Sequence, residues 1–303
     1  MSLKNNVTWL GWAVMGLSLY FVALRLGSEW PTIRHWRPDG LAIGILAAGC
    51  AGYAFACIFL AVAWHGLLKG LGVDGLKWSI PVGVFAQSQI GKYLPGNFFH
   101  VVGRQIMGRQ FGISHNILAA STLYEFVGLV AASTTIAVPT ALNFGLFQDR
   151  NYAYYLMVLA CLAILILIAA RHLTKTRWPH LMNRQTAGAL LQAYLNYLLF
   201  FIIAGLLLVA LCGLFDDRAL QPFPAFHLVS IFALSWLAGF LTPGAPSGLG
   251  IREGIIVLGL QHLSPEAPAA LIALLLRVMT ISGDVLFFFI AGSLVPLSQK
   301  QLQ

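Results

Sequence analysis

Seven ionisable residues interrupt the apolar stretches of this sequence, and their types and positions allow a specific chemistry. They are four cations and three acids: Lys92, Arg104, Glu125, Arg252, Glu253, Arg277 and Asp284. Placing a charge in hydrocarbon costs about 2.5–3.5 kcal/mol even on the mildest scale, so such residues mark functional sites by default. Guanidinium groups match phosphate oxygens through paired hydrogen bonds, which an ammonium group does not. The set therefore predicts a binding site for an anionic phosphate group.

Two neighbouring residues are weaker candidates for the same chemistry. Tyr93 follows Lys92 directly, and its ring or hydroxyl can contact a lipid headgroup. The long Lys92 side chain can also extend to the membrane interface, because it lies near a helix end. His100 precedes Arg104 by one turn, and we expect it to pack or to form a hydrogen bond rather than to carry protons.

An internal ion-pair network is the alternative interpretation of these charges. Arg277 and Asp284 are seven residues apart, which is two helical turns, so both can face the inside of a helix bundle. Glu125 can neutralise either Arg104 or Arg252. In this interpretation the charges clamp the fold together and bind no ligand.

Two breaks in the apolar pattern position these residues. GKYLPGN contains Pro95 and Gly96, and LTPGAPSGLGIRE contains Pro243, Gly244, Gly248 and Gly250. Proline and glycine at this density interrupt a helix, and interrupted backbone survives at membrane depth only where protein or a water-filled cavity satisfies its polar groups. We predict two buried loops, each followed by a half-helix whose N-terminal dipole favours anions.

Composition assigns the chain to the membrane. It has 303 residues, of which 59% are hydrophobic and 9% charged, whereas soluble domains carry about 25% charged residues. The net charge of +8 is spread over the loops, which suits anionic lipid headgroups better than nucleic acid. Four cysteines without metal-binding spacing predict neither a metal site nor a cofactor.

The apolar stretches predict an all-α polytopic protein, because a crossing needs about 20 apolar residues. Six full spans are predicted, and two broken hairpins that enter the membrane and return are predicted at 79–110 and 225–262. The first arm of the second hairpin is about 25 Å long, so a near-complete crossing by this arm stays open as an alternative. The full spans are predicted at residues 7–26, 41–68, 117–138, 152–170, 186–215 and 267–295.

Landmarks recur along the chain at a constant offset. Pro243-Gly244 follows Pro95-Gly96 by 148 residues, and in both halves the glycine precedes an arginine, Arg104 or Arg252, by eight residues. We predict one membrane domain, 1–303, built from repeats at about 1–148 and 149–303. Three crossings per half would invert the second half, as in many transporters. Loop charges of eight against five favour both termini in the cytoplasm.

Signatures of enzymes are weak. Ser247-Gly248 lies in GAPSG rather than in the GxSG pattern of intramembrane serine proteases. Asp216-Asp217 lacks the further carboxylates that a Mg²⁺–nucleotide-sugar site needs. The sequence has no P-loop pattern. It therefore predicts no catalytic residues and a protein that is not an enzyme.

The sequence resembles a known family in GKYLPGNFFHVVGRQ, in Glu125 and in PGAPSGLGIREG. This is the flippase-like transmembrane family named after bacterial lysylphosphatidylglycerol synthases, which also includes an archaeal protein of dolichol-linked glycosylation. The resemblance covers nearly the whole chain and implies translocation of a lipid headgroup between leaflets. The synthases append a soluble aminoacyl-transferase domain that this sequence does not contain, so aminoacyl-lipid synthesis is not expected. At matching positions the resemblance singles out Lys92, Tyr93, Pro95, Gly96, Arg104, Glu125, Pro243, Gly244, Gly248, Gly250, Arg252 and Glu253.

We therefore predict a flippase-like transporter for a phospholipid or a polyprenyl-phosphate-linked sugar in the bacterial cytoplasmic membrane. Its expected partner is the lipid substrate, and a second copy of the chain or envelope-synthesis enzymes are further candidates. Two alternatives remain open: a membrane-embedded transferase or hydrolase of a lipid-linked substrate, and a non-catalytic partner of an envelope glycosylation complex.

Overall fold

The protein was analysed as a computed structural model that describes residues 34–93, 99–143, 184–242, 246–264 and 267–294, with five isolated positions between 20 and 31. The described part is helical and contains no strand. The predicted span at 152–170 lies outside it, as do Pro95, Gly96, Pro243 and Gly244. The predicted span at 7–26 also lies outside it, apart from Tyr20 and Leu24.

Within the described ranges, five helices are long and apolar enough to cross a membrane, so the chain is an all-α, multi-pass membrane protein. They are the first, fourth, fifth, sixth and eighth helices in chain order. The other three have only 11, 12 and 13 residues, well short of the roughly 20 that a crossing needs. In chain order the helices are α1 Gly40–Gly70, α2 Ser79–Gln89, α3 Phe99–Gln110, α4 His115–Asn143, α5 Arg184–Cys212, α6 Pro222–Leu241, α7 Ile251–Leu263 and α8 Ala269–Gly292.

Local signals set several helix ends. Asp39 caps α1 by accepting a hydrogen bond from the Ala42 amide at 2.8 Å. Helix α6 begins three residues before the predicted start at 225, because Pro222 occupies its first turn, where a missing N–H costs nothing. Helix α6 has 20 residues, which is the length of a crossing. The first arm of the first predicted hairpin, α2, has only 11.

Helices α1 and α5 pack side by side in opposite directions. Gly70 of α1 lies against Ala189 near the start of α5, whereas Gly52 lies against Leu207 near its end. A Cβ added to Gly70 would come within 2.4 Å of the Ala189 Cβ. Small residues thus permit the close approach of these two backbones.

The first break folds α3 back along α2. A short 3-10 turn, Ile90–Tyr93, follows α2, and a Cβ on Gly91 would lie 2.8 Å from the His100 amide nitrogen in α3. Gly103, further along α3, faces Ser88 of α2. The two helices therefore form an antiparallel hairpin, which we call hairpin 1.

The second break folds α7 back along α6 in the same manner. A Cβ on Gly239, near the end of α6, would meet Arg252 at the start of α7, and a Cβ on Gly259 would meet Ile231. These two helices form hairpin 2. The centres of the Trp236 ring, near the end of α6, and the Phe201 ring, near the middle of α5, are 5.0 Å apart. The end of α6 therefore lies level with the middle of α5.

Candidate functional site

Arg104 and Glu125 form a buried ion pair within the first half of the chain. The Arg104 guanidinium donates through Nη1 to Glu125 Oε2, and its Nε donates to Ser88 Oγ at 3.3 Å. Arg104 is 2% exposed and Glu125 4%. The guanidinium carbon also lies 4.1 Å from the centre of the Phe85 ring. Arg104 is therefore held on several sides and its charge is compensated.

Asp284 of α8 receives donors from the turn of hairpin 1. Its carboxylate lies 2.7 Å from Lys92 Nζ and accepts a hydrogen bond from the Tyr93 hydroxyl. Cys57 Sγ of α1 lies 3.7 Å from the second carboxylate oxygen. Since Cys57 and Asp284 both lie near the middle of their helices, the turn of hairpin 1 sits at mid-depth in the bundle.

Arg277 makes the corresponding connection between α8 and hairpin 2. Its Nε lies 3.3 Å from Glu253 Oε1, a charge contact without hydrogen-bond geometry. Its Nη1 donates to the Ser247 carbonyl oxygen at 3.3 Å. The other Glu253 oxygen accepts from the Gly250 amide at 2.6 Å. Glu253 therefore already occupies the N-terminus of α7, where the sequence predicted a free anion site.

Arg252 differs from the other buried cations because no carboxylate in the described part of the chain pairs with it. Its guanidinium carbon lies 5.6 Å from the centre of the Trp236 ring, and its buried Nε has no hydrogen-bond partner there. Three acids thus compensate three of the four predicted cations. One positive charge remains over in the interior, at the start of α7.

A cavity of about 60 Å³ lies beside Arg252 between the two hairpins. One water needs roughly 10–15 Å³ of such volume, so the cavity has room for several waters or a small polar group. A smaller cavity of about 20 Å³ adjoins it, and Tyr53, Trp236 and Arg252 line both. The polar side chains around the larger cavity are Tyr53, Gln89, Lys92, His100, Glu125, Ser247 and Arg252.

The larger cavity lies at the middle level of the long helices. Leu60 of α1, Leu129 of α4 and Phe200 of α5 line it, and each is close to the midpoint of its helix. The uncompensated charge of Arg252 therefore lies deep within the bundle rather than at one end.

The backbone of the second break needs residues that tolerate positive φ angles. Gly248 has φ +68° and Gly250 has φ +83°, and Ser247 also adopts the left-handed region with φ +51°. A Cβ on Gly248 would lie 2.7 Å from the Gly239 Cα and 2.8 Å from Arg252 Nε. Gly239 and Gly248 thus leave the space in which the Arg252 side chain lies.

The structure brings all eight predicted charged or polar site residues into one connected interior region. Among the predicted loop residues, Gly248 and Gly250 lie within it. Sequence reasoning missed Ser88, Trp236 and Gly239, and it assigned His100 only to packing or hydrogen bonding. The eight-residue spacing between Pro-Gly and arginine pointed to the right arginines, but it carried no signal for their aromatic and glycine neighbours. Within the described ranges, no group of three or more potential metal ligands comes together.

Fold and site together define a multi-pass helical membrane protein with a charged interior cavity between two helical hairpins. No protein-family model matches the chain, and no curated protein matches it.

Proposed function

We propose that the protein is a flippase-like transporter that moves a phosphate-bearing lipid between the leaflets of a membrane. The cargo class is a phospholipid or a polyprenyl-phosphate-linked sugar, as the family resemblance implies. The headgroup would enter the cavity between the hairpins while the acyl or prenyl tails stay in the bilayer. A bacterial cytoplasmic membrane with both termini on the cytoplasmic side is part of the proposal and rests on the resemblance and the loop charges.

The single observation that carries the proposal is the uncompensated guanidinium of Arg252 beside an interior cavity. A buried charge is unfavourable unless it is paired, and among the described residues the pairing of Lys92, Arg104 and Arg277 leaves Arg252 without an acid. A phosphate diester carries one negative charge and offers oxygens that match the guanidinium fork. Its entry would complete the charge balance of the interior.

The packing of the helices supports the proposal that the two halves are inverted repeats. Helix α4 packs on α5 and α6, and its counterpart α8 packs on α1 and α2. The pair α1–α5 consists of corresponding helices that run in opposite directions. If α1 corresponds to α5, α2 to α6 and α4 to α8, the contact of α4 with α5 corresponds to that of α8 with α1. In the same way the contact of α4 with α6 corresponds to that of α8 with α2. Transporters with such halves bind their substrates at interrupted helices near the midplane.

Alternating access would use the ion pairs that join the hairpins to α8. Lys92–Asp284 holds the turn of hairpin 1, and Arg277 holds Glu253 and Ser247 of hairpin 2. Breaking one set while the other persists would let one hairpin move and open the cavity to one side. The headgroup, bound at Arg252, would pass from one leaflet to the other during this exchange.

The test is transbilayer transfer by the purified protein in proteoliposomes. Acyl-labelled fluorescent phosphatidylglycerol and a short-chain polyprenyl-phosphate sugar are the two cargoes, and protein-free vesicles give the background. We expect Arg252→Gln to lower the transfer rate at least tenfold, since a charge-assisted contact contributes about 1.5–3 kcal/mol. The matched control is Arg218→Gln, an exposed arginine in the loop between α5 and α6, which should transfer at the wild-type rate.

Three results would overturn the proposal. The first is full transfer by a folded Arg252→Gln variant. The second is a wild-type protein that transfers neither of the two cargoes. The third is chemical turnover of the labelled lipid, which would instead support the alternative of a membrane-embedded transferase or hydrolase.

A further inference from the structure

We infer that His100 is a second contact for the bound phosphate, so that the anion bridges hairpin 1 and hairpin 2. This inference rests on the proposed function and deepens it. It names the residue of hairpin 1 that meets the headgroup, and it identifies that partner as a hydrogen-bonding imidazole rather than a second cation.

The first observation is an unsatisfied polar atom. His100 Nδ1 is buried and has no hydrogen-bond partner among the described residues. The large majority of buried side-chain polar atoms are paired, so an unpaired nitrogen requires an explanation. A histidine that serves only for packing would be expected to satisfy its ring nitrogens within the protein.

The second observation is its location. His100 lines the cavity that Arg252 also lines, and Arg252 Nε is likewise buried without a partner in the described part of the chain. The two residues reach the cavity from different hairpins, His100 from the first turn of α3 and Arg252 from the first turn of α7. One small anion with several acceptor oxygens can therefore satisfy both.

The position of His100 is fixed by its surroundings. The start of α3 is pressed against the 3-10 turn, since a Cβ on Gly91 would lie 2.9 Å from the Phe99 carbonyl carbon. One turn later, Arg104 anchors α3 through Glu125 and Ser88. This anchoring prearranges the imidazole before an anion arrives, which lowers the ordering cost of binding.

Other cavity residues are less suited to the role. Lys92 is already engaged by Asp284 at 2.7 Å, and Glu125 would repel an anion. A neutral imidazole has one N–H donor, and its proton can sit on either ring nitrogen, so the tautomer protonated at Nδ1 places the donor at the unpaired atom. His100 can thus donate to a phosphate oxygen while Arg252 supplies the compensating charge.

The experiment measures binding to purified full-length protein in detergent by titration calorimetry. Two probes separate a free ion from a lipid headgroup: inorganic phosphate and dihexanoyl-phosphatidylglycerol. The variants are Arg252→Gln, His100→Leu and His100→Asn, because an asparagine amide can occupy the position of Nδ1 and donate there. The control is His65→Leu, a histidine on α1 that does not line the cavity.

We expect His100→Leu to weaken the binding of at least one probe by about tenfold or more, the loss typical of a hydrogen bond to a charged group. His100→Asn should restore most of that affinity, which a purely structural role would not produce, and His65→Leu should bind as the wild type does. Binding of the lipid probe alone identifies an esterified phosphate as the ligand, and binding of both probes identifies the phosphate group itself.

The possible failures are distinguishable. If Arg252→Gln abolishes binding and a folded His100→Leu retains it, the inference is wrong and the proposed function stands. If Arg252→Gln binds normally, or if neither probe binds the wild type, both are wrong. Should His100→Leu not fold, ¹⁵N-histidine spectra of the wild type decide instead. Phosphate must then shift the imidazole signal that is absent from His100→Asn, and an unmoved signal refutes the inference.

Discussion

Arg277 and Asp284 lie two turns apart on α8 and connect that helix to different hairpins. Asp284 holds Lys92 and Tyr93 at the turn of hairpin 1, and Arg277 holds Glu253 and the Ser247 carbonyl of hairpin 2. In the described part of the chain, Arg277 and Asp284 form ion pairs with these residues and not with each other. A single helix therefore bridges both interrupted segments with charges of opposite sign.

Separating the hairpin 1 turn from α8 should expose the interior at that point. Asp284→Ala removes the acceptor of Lys92 and Tyr93, and loss of one member of a buried pair costs about 3–5 kcal/mol. We expect alkylation of Cys57, which lies beside Asp284, to become at least tenfold faster, because local opening becomes more frequent. Mass spectrometry of modified peptides measures that rate.

One internal reference, Cys212, and one control variant, Asp74→Ala, make this measurement specific. Cys212 is fully buried near the end of α5, and its alkylation should stay slow unless the whole protein unfolds. Asp74→Ala removes an exposed acid between α1 and α2 and should leave Cys57 protected. Equal acceleration at Cys57 and Cys212 would show global unfolding and contradict the local role of Asp284.

The Arg104–Glu125 pair should behave as a structural clamp. Glu125→Leu leaves a buried guanidinium unpaired, so we expect it to lower the free energy of unfolding in detergent by about 3–5 kcal/mol. Arg104→Met combined with Glu125→Leu should recover most of this loss, because apolar replacement of a whole buried pair is often neutral. Thermal unfolding of the two single variants and the double variant gives the coupling between them.

Phosphate binding by the same double variant separates the two interpretations of these charges. If Arg104 only clamps the fold, the double variant keeps the wild-type affinity for phosphate. A stable double variant that no longer binds would show that Arg104 contacts the ligand as well.

Gly239 should be intolerant of any side chain. In Gly239→Ala the new methyl would approach Arg252 Cγ to 2.7 Å and the Gly248 Cα to 3.1 Å. We expect a loss of about 1–3 kcal/mol in stability, the usual cost of overpacking, together with weaker phosphate binding because the guanidinium is displaced. Gly188→Ala on α5 meets nothing within 4 Å and should stabilise the helix by about 0.5–1 kcal/mol. Equal stabilities of the two variants would contradict the close packing of hairpin 2.

Periodicity and helix breakers were sufficient to predict the long elements. Helices α1, α4 and α5 begin within two residues of their predicted starts at 41, 117 and 186. The described helices also end before and begin after the two stretches rich in proline and glycine, because those residues act locally on the backbone. The start of α6 was misplaced by three residues, since a proline that ends one helix is equally able to begin another.

The pairing of the charges could not be predicted, because it depends on contacts between distant segments. Lys92 and Asp284 are 192 residues apart, and nothing local to either residue distinguishes this pair from Arg104 with Asp284 or Arg252 with Glu125. That Arg252 has no carboxylate partner in the described segments becomes evident only when all three pairs are known. Gly239 was missed, and His100 was assigned only to packing or hydrogen bonding, because Gly239 meets the facing helix of its hairpin and His100 meets Arg252 only across the cavity.

The bridge through α8 also constrains how the chain is assembled during synthesis. Helix α8 is the last described helix to leave the ribosome, and it carries the partners of both Lys92 and Glu253. Until it inserts, the earlier segments hold those charges without their counterparts. Neither ion pair can therefore form before α8 has entered the bilayer.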